Sequence, residues 1–403
     1  MPNDMTISQA GAVLNSIAEQ ATYQGTLSPI ETPEDFVSVA QTLLRMGTDP
    51  IINAVSQVWS NTMYAVRPYN AKFTSLEMSL DRYGNAIRKL SPVAREMIDD
   101  QRFTWPVAFD STHTDNPFGN GESVDHYKIS KQEVLQTNFY GTAVYSQRYT
   151  VFKDQLDTAF RSADDFMRFN SMNLTERSND KESYREAVAR GIQANFIGGL
   201  IAENNANRVI HLLTEYNSAT GLSLTAQTVY QPANFNGFMR WVYARIKTLA
   251  RMMSERSEMF QTVIDNKPIL RHTPSDKLRI ALYAPAMEQI NSMVLSDAFN
   301  DNYLKYAKYE GINFWQAIDT PDTINIEPVY TGSDGNPAKG NAVNQSHIFG
   351  LMHDLDALGY CYTNVWSATT PLNIDGGYWN TNEHSTIKTI QDNTEKAVVL
   401  LLD

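Results

Sequence analysis

Two histidines and two aspartates near residue 350 form the densest group of potential metal ligands in the sequence. They are His347, His353, Asp354 and Asp356, and the single cysteine, Cys361, follows them. Imidazole and carboxylate groups bind transition metals, and a bound metal could activate a water molecule. Their spacing matches neither an HExxH helix nor a cysteine–histidine ligand set. A metal-dependent enzyme that uses the four His and Asp residues is an alternative, but a helix whose exposed side carries Asp354 and Asp356 is the favoured explanation.

Other residues of catalytic type do not form a recognisable site. The loop "GSDGNPAKGN" lacks the GK[ST] ending of a phosphate-binding loop, so we interpret it as a surface turn, and the sequence has no G-x-S-x-G elbow. Carboxylates that could act as acid–base pairs are Asp99, Asp100, Asp154 and Asp157. The last two fit the start of a helix. We therefore predict no catalytic, cofactor-binding or metal residue, and no cofactor.

Basic residues with aromatic neighbours occur along residues 67–89. They are Arg67, Arg82 beside Tyr83, and Arg88 beside Lys89. Such residues could contact nucleic acid, but a solvated edge or a charge-paired subunit contact also accounts for them. The chain carries 33 Lys and Arg against 45 Asp and Glu, a net charge of −12, which argues against general nucleic-acid binding.

The composition is that of a folded protein. Of its 403 residues, 42% are hydrophobic and 19% are charged, and no stretch approaches the roughly 20 apolar residues that cross a bilayer. One cysteine excludes an internal disulfide. The N-terminus has no basic region followed by an apolar core, so it predicts no secretory signal and no membrane partner.

The first half of the chain changes character near residue 64. Residues 1–64 show helical stripes broken by glycine and proline, the clearest being "TPEDFVSVAQTLLRMG". The following stretch is rich in Asp, Asn, Gly and Ser at its centre and predicts an extended excursion. The segment "VLQTNFYGTAVYSQRYTVF" then has the β-branched and aromatic residues typical of strands.

A proline-free segment predicts one long helix from about Ala163 to Glu203. Tyr184, Val188, Ile192, Phe196 and Leu200 recur every four residues and form a helical seam. The middle, "TERSNDKES", has no apolar residue, so we expect it to face a neighbour or an interior space. Two helices with a break near Asn179 are the alternative. A continuous helix would be roughly 60 Å long at 1.5 Å per residue.

The remaining segments predict a mixture of helices and strands. Helices are expected at "NFNGFMRWVYARIKTLARMMSERSEMF" and "AMEQINSMVLSDAF". Strands are expected at "KLRIALYAP", "TINIEPVY", "ALGYCYTNVWS" and "KAVVLLLD". The predicted fold class is α+β. Several predicted parts cannot bury much surface within one chain: the N-terminal arm, the polar excursion and the long helix with its narrow apolar stripe. Such parts gain their contacts most readily by assembly with other copies of the chain.

Several segments resemble one protein family over nearly the whole chain. They are "VLQTNFYG", "YTVFKDQLDTAF", "ANFIGG", "VIHLLTEYN" and "NTEKAVVLLLD". These segments, and the order of elements, are similar to major capsid proteins of tailed, short-tailed gut bacteriophages with the Hong Kong 97-like fold. The resemblance implies an N-terminal arm, an E-loop, a peripheral domain with a long spine helix, and an axial domain.

The resemblance assigns these parts to residue ranges. The arm and its helices are expected at 1–64, the E-loop region at 65–133 with its tip near Asp110–Glu122, the peripheral domain at 134–220, and the axial domain with returning strands at 221–403. The spine helix is expected at about 163–203. The implied function is self-assembly into hexamers and pentamers of an icosahedral capsid enclosing double-stranded DNA.

The implied partners are other copies of the chain, a portal, packaged DNA contacted only non-specifically, and a scaffolding protein. We expect that scaffold to be a separate protein, because only about 64 residues precede the E-loop region. The implied location is the virion, after assembly in the bacterial host cytoplasm. Some members of the family have residues that form covalent cross-links between subunits. No motif in this sequence identifies such residues, so cross-linking is not assigned. Another virion structural protein, a portal or tail component, is a further alternative.

Overall fold

A computed structural model of the protein describes residues 35, 38–39, 74–78, 87–95, 127, 131–139, 142–155, 163–287 and 308–403. Packing divides the chain into two units. The first comprises Met1–Ala86, Tyr140–Asn195 and Leu358–Gln391, and the second comprises Ile87–Phe139, Phe196–Ala357 and Asp392–Asp403. The four-part division expected from the sequence stays a prediction, because the two units are defined by internal packing and not by a role in assembly.

Three long helices and a series of strands make up most of the regular structure of the described ranges, with a short 3-10 helix at Thr74–Leu76. The helices are α1 Ala163–Ala202, α2 Leu212–Thr220 and α3 Pro232–Ser254. The strands are β1 Ile87–Pro92, β2 Val134–Phe139, β3 Thr142–Phe152, β4 Val209–His211, β5 Leu278–Tyr283, β6 Lys308–Ile312, β7 Ile324–Ile326, β8 Val329–Thr331, β9 Pro337–Lys339, β10 Val343–Gln345, β11 Ile348–Asp354, β12 Leu358–Thr369, β13 Tyr378–Gln391 and β14 Ala397–Leu401. The predicted α+β class is confirmed.

A three-stranded antiparallel sheet, in the order β12–β13–β3, is the centre of the first unit. β13 pairs with β3 from Tyr378 opposite Phe152 to Lys388 opposite Thr142. On its other side β13 pairs with β12, with a register shift between Tyr362 and Asn364. Because residues alternate between the two faces of a strand, this register fixes which side chains share a face.

Helix α1 confirms the predicted continuous helix, and no break occurs near Asn179. Its 40 residues correspond to a length of about 60 Å. Residues 163–195 belong to the first unit and residues 196–202 to the second. The predicted seam is half-buried at Tyr184 and Val188 and fully buried from Ile192 onward, at Phe196 and Leu200. Burial of this seam stabilises a helix whose middle is too polar to fold by propensity alone.

A five-stranded sheet in the order β4–β14–β11–β5–β6 forms the core of the second unit. β11 runs antiparallel to both β14 and β5, while β4 and β6 pair in parallel with β14 and β5 respectively. All five residues of β14 and all seven of β11 are buried. Strands buried on both faces have apolar runs rather than alternation, as "AVVLL" has.

Helices α2 and α3 supply the apolar side chains that pack with this sheet in one hydrophobic cluster. α3 begins with Pro232 at its first turn, and its buried face includes Phe235, Phe238 and Val242. α2 ends at Gly221, whose φ of +72° suits glycine because it has no Cβ. Arg245 of α3 forms two hydrogen bonds of 2.8 Å with the Glu215 carboxylate of α2. None of the helices within the described ranges is long and apolar enough to cross a bilayer.

Two adjacent glycines near the end of α1 allow a close approach of the β7–β8 segment. A Cβ at Gly198 would lie 2.8 Å from Ile326 Cγ2, and a Cβ at Gly199 would lie 2.9 Å from Tyr330 Cβ. Glycine inside a helix costs about 1 kcal/mol relative to alanine. Glycine is nevertheless required at both positions of "ANFIGG", because any side chain would clash with the β7–β8 segment.

The strands predicted at "KLRIALYAP", "ALGYCYTNVWS" and "KAVVLLLD" are confirmed as β5, β12 and β14, and the first predicted C-terminal helix as α3. The helix considered for "SHIFGLMHDLDALGY" is wrong, since these residues form β11, a turn and the start of β12. Continuous burial of residues 348–354 favours a central strand over a helix with one exposed side. The helix predicted at "AMEQINSMVLSDAF" lies mostly outside the described residues, as do the predicted arm and the Asp110–Glu122 tip.

His353, in β11, makes the stability of the second unit depend on pH. Burial lowers its pKa from 6.5 to about 4, and the positive charge of Arg279 acts in the same direction. Between these two values the unfolded chain binds a proton that the folded chain excludes. We expect the free energy of unfolding to be highest above about pH 6.5 and to fall by about 3 kcal/mol as the pH drops to about 4.

The His353→Asn variant tests this expectation, because asparagine retains a donor for the Asp354 carbonyl but does not titrate. Urea denaturation at pH 7 and pH 5 should show a smaller acid-induced loss in the variant than in the parent protein. His272→Asn, at an exposed histidine, controls for the introduction of asparagine. An equal acid-induced loss in His353→Asn and the parent would contradict the assignment.

Candidate functional site

The four residues predicted as possible metal ligands do not form a ligand set. The Nδ1 of His347 lies 2.8 Å from Asp322 Oδ2, whereas the Nδ1–H of buried His353 donates to the Asp354 carbonyl at 2.8 Å. Asp354 Oδ1 accepts the backbone N–H of Asp356, and Asp356 Oδ2 forms an ion pair with Lys277 at 2.7 Å. Across the described ranges no group of three or more His, Cys, Asp or Glu residues could hold a metal ion. These contacts stabilise the turn between β11 and β12.

Other sequence candidates occupy separate structural positions. The "GSDGNPAKGN" loop forms the tight turn of the β8–β9 hairpin, where Gly335 has a φ of +75°. Cys361 is buried in β12, and burial raises the pKa of its thiol. Asp154 is exposed, while Asp99, Asp100 and Asp157 lie outside the described residues. Of the basic residues, Arg88 is exposed in β1, and Arg67 and Arg82 are also outside.

Part of the polar middle of α1 packs on the sheet of its own unit, while other residues of it are exposed, so the expectation that it faces a neighbour or an interior space stays a prediction. The Arg177 guanidinium lies 3.9 Å from the ring centroid of Tyr149 in β3. Lys181 forms an ion pair with Glu383 of β13. Gln147 donates to Asp180 at 2.9 Å. Burial raises the pKa of Tyr149.

The same side chains border a cavity of about 660 Å³ in the first unit. Arg185 donates to Glu182 at 2.9 Å, and its guanidinium lies 5.0 Å from the ring centroid of Tyr362. Tyr184 contacts Tyr145 edge to face at a centroid distance of 4.8 Å. The charged groups that border the cavity are largely paired with one another, so the cavity continues the polar packing of α1 on the sheet.

The opposite face of this sheet exposes apolar side chains. On β3 these are Val144 and Phe152, and on β12 it is Trp366, whose ring stacks on that of His384 at a centroid distance of 4.1 Å. Ile374, in the turn between β12 and β13, is 90% exposed. These side chains are spread along one sheet face, since Val144 and Phe152 lie near opposite ends of β3, and the face is a candidate contact surface. Sequence reasoning missed this face because alternating single apolar residues also occur on ordinary strands.

Strands β1 and β2 form a two-stranded antiparallel ribbon, which is the second candidate contact element. Ile87 lies opposite Phe139 and Pro92 opposite Val134, so residues 93–133 leave and return at one end of the ribbon. The Val93 N–H donates to the Glu133 carbonyl at 3.0 Å and extends the pairing. Leu90 is 60% exposed. The sequence did not predict β1, because "IRKLSP" contains two apolar residues and ends in proline.

Comparisons with known proteins give structural similarity alone. No family model matches the chain, and no curated protein matches it. A chain in the capsid structure of Staphylococcus phage Andhra is 8% identical, with a TM-score of 0.50 over 84% of this chain and 86% of that chain.

Two further solved structures give similar coverage. The structure of the head fiber and inner core protein gp22 of native bacteriophage P68 matches at 8% identity and a TM-score of 0.48, over 83% of this chain and 85% of that chain. The asymmetric unit of the bacteriophage PhiM1 mature capsid matches at 9% identity and a TM-score of 0.41, over 83% and 87%. The similarity to the Andhra capsid chain extends over most of both chains. The protein described here therefore shares its fold with a chain of a phage capsid.

Proposed function

We propose that this chain is a virion structural protein, the major subunit of a bacteriophage capsid. The observation that carries the proposal is the shared fold with a chain of the Staphylococcus phage Andhra capsid over 84% of the sequence. Fold by itself does not determine function. The proposal therefore also draws on the elements that this chain exposes for contact with other copies.

The ribbon and the long helix support a Hong Kong 97-like subunit. The β1–β2 ribbon carries residues 93–133, which corresponds to the expected E-loop, and α1 corresponds to the expected spine helix. The first unit then contains most of the peripheral domain and the second most of the axial domain. An excursion that extends over a neighbouring copy supplies the large contact area that a stable interface requires.

The exposed apolar side chains of the first unit support the same role. Val144, Phe152 and Trp366 share one sheet face, and a subunit contact would remove their apolar surface from water. In the assembled shell, we propose, hexamers and pentamers form an icosahedral capsid around double-stranded DNA. The net charge of −12 repels the negatively charged DNA. We therefore expect packaged DNA to be contacted only weakly and without sequence specificity.

The remaining parts of the proposal follow from the resemblance. A portal and a scaffolding protein are the expected partners, and the virion, assembled in the host cytoplasm, is the expected location. No observation favours the metal-dependent enzyme, because His347, His353, Asp354 and Asp356 each have separate contacts. A portal or tail component remains a structural alternative that particle shape distinguishes.

Negative-stain microscopy and light scattering of the purified protein test the proposal. Closed spherical shells are the expected particles, either spontaneously or with a scaffolding protein. Rings of about a dozen subunits would indicate a portal instead. A monomer at every protein concentration, with or without scaffold, would contradict the capsid assignment.

Deleting Asp110–Glu122 should abolish shell formation without unfolding the subunit. The deleted residues lie between β1 and β2 in the sequence, and in the proposed role their loss removes contact area from a subunit interface. Light scattering measures assembly, and urea denaturation checks that the midpoint of unfolding is retained. Normal shells from the deletion variant would contradict the E-loop assignment.

A proline at Glu186 should also stop assembly, through the helix. Residue 186 lies inside α1, where proline removes a backbone hydrogen bond and clashes with the preceding turn at a cost of about 3 kcal/mol or more. The matched control is Glu186→Gln, which keeps the helix and a hydrogen-bonding group beside Arg190. We expect shells from the glutamine variant and none from the proline variant. Equal shell yields would show that α1 need not be continuous for assembly.

A further inference from the structure

Within the second unit, the root of the β1–β2 ribbon contacts residues 271 and 392–395 through a buried group of charges. Lys89 lies in the middle of β1, between exposed Arg88 and exposed Leu90. Its Nζ is 2.5 Å from Asp392 Oδ2 and also forms an ion pair with Glu395. The Asp392 side chain is 0% exposed, that of Glu395 is 8% exposed and that of Lys89 is 22% exposed.

Arg271 completes the group and touches the same strand. Its Nη1 lies 2.7 Å from Glu395 Oε1, and its Nη2 donates to Ser91 Oγ at 2.7 Å. Lys89 and Ser91 are two residues apart in β1 and therefore share one face of the strand. Two cations thus balance two carboxylates, and both cations hold β1.

The carboxylates depend on these cations to remain charged. Burial alone would raise the pKa of Asp392, but Lys89 and the hydrogen bonds from Thr394 hold it below its ordinary value. For Glu395 burial prevails and raises the pKa, against the opposing charges of Lys89 and Arg271. Removing one partner from a buried ion pair leaves an uncompensated charge. Lys89 therefore links the ribbon to two buried carboxylates, Asp392 and Glu395, whose negative charge is unfavourable without a neighbouring cation.

The Arg271–Ser91 hydrogen bond persists without Lys89, but its acceptor is an uncharged hydroxyl, so it contributes less than the buried ion pairs of Lys89. The remaining contacts of the ribbon root are weaker still. The Lys267–Glu133 pair is solvent-exposed, and exposed ion pairs contribute little. The Ala94 N–H donates to the Pro268 carbonyl at 2.6 Å, but it lies beyond the end of β1. Among the strands that the structure describes, β1 pairs with β2 only. A two-stranded ribbon has marginal stability by itself, so its position depends on what holds its root.

We propose that Lys89 is a positioning residue, whose ammonium group completes a four-charge cluster with Arg271, Asp392 and Glu395 and thereby locks the β1–β2 ribbon onto the rest of the second unit, to which the ribbon itself belongs. The lock forms within one subunit and requires no partner. If the capsid role proposed above holds, the lock also sets the direction in which residues 93–133 leave the subunit before a neighbouring copy binds. This second part rests on the proposed function, and the first part does not.

Hydrogen–deuterium exchange of the full chain tests the lock. In Lys89→Met, amides of residues 87–91 and 134–139 should exchange at least tenfold faster, because the ribbon detaches more often. Amides of β11 and β14 report on the core. Arg88→Met is the matched control, since Arg88 is the exposed neighbour in the same strand, and its ribbon amides should keep the parental exchange rate.

A second variant covers the case in which Lys89→Met does not fold. In the double variant Lys89→Met with Asp392→Asn, the Arg271–Glu395 pair remains balanced, and the asparagine oxygen can still accept the Thr394 hydrogen bonds that Asp392 Oδ1 accepts. The core should then be folded, with β11 and β14 exchanging at parental rates and the ribbon at least tenfold faster. Parental ribbon exchange in this double variant, or equal acceleration in Arg88→Met, would overturn the lock.

Assembly provides the readout for the second part. The protein concentration at which shells appear should rise at least tenfold in the double variant and stay unchanged in Arg88→Met. Unchanged assembly despite faster ribbon exchange would overturn the pre-orientation of residues 93–133 but leave the lock in place. If the parent protein forms no shells under any condition, the proposed function fails, and the exchange result still decides whether Lys89 locks the ribbon.

Discussion

The burial of residues 392–402 is the constraint on which the second unit depends. Every residue of this segment is buried, from the polar turn "DNTEK" through β14 to Leu402. The apolar strand gains free energy from leaving water, but the polar turn buried with it requires a partner for each charge. Lys89 and Arg271 supply partners for the carboxylates, and the ammonium of Lys396 donates to the Glu255 carbonyl and to Ser257 Oγ. Burial lowers the pKa of Lys396 to about 8.

This requirement brings together parts of the chain that are far apart in sequence. Lys89 and Asp392 are separated by 303 residues, and Arg271 comes from the loop between α3 and β5. The ribbon, this loop and the turn before β14 are therefore coupled, because displacing any one of them exposes or unpairs a charge of another. The first unit uses a related solution, since the polar middle of α1 is paired with polar side chains of β3 and β13.

Elements with strong local signals could be predicted from the sequence, and elements that depend on distant partners could not. α1 lacks proline and has a regular seam, α3 has Pro232 and an apolar stripe, and β14 is a continuous apolar run. In contrast, β13 was not predicted, because its inward-facing residues include Glu383, which pairs with Lys181 and so breaks the expected alternation of apolar and polar residues. The candidate ligands near residue 350 were close in sequence, yet a strand and a turn direct them to different partners. The charge cluster at Lys89 has no sequence signal, since spacing does not reveal which charges become buried together.

The position of β14 has a consequence for synthesis of the chain. In chain order β14 follows every other described element, yet in the sheet it lies between β4 and β11. Domains generally fold as units as the chain emerges from the ribosome. β4 and β11 must therefore wait for residues 397–401 before the sheet can close, while β5, β6 and β11 can pair earlier. A nascent chain interrupted before Ala397 lacks the strand that joins β4 to β11, so the sheet of the second unit closes only after residues 397–401 have been synthesised.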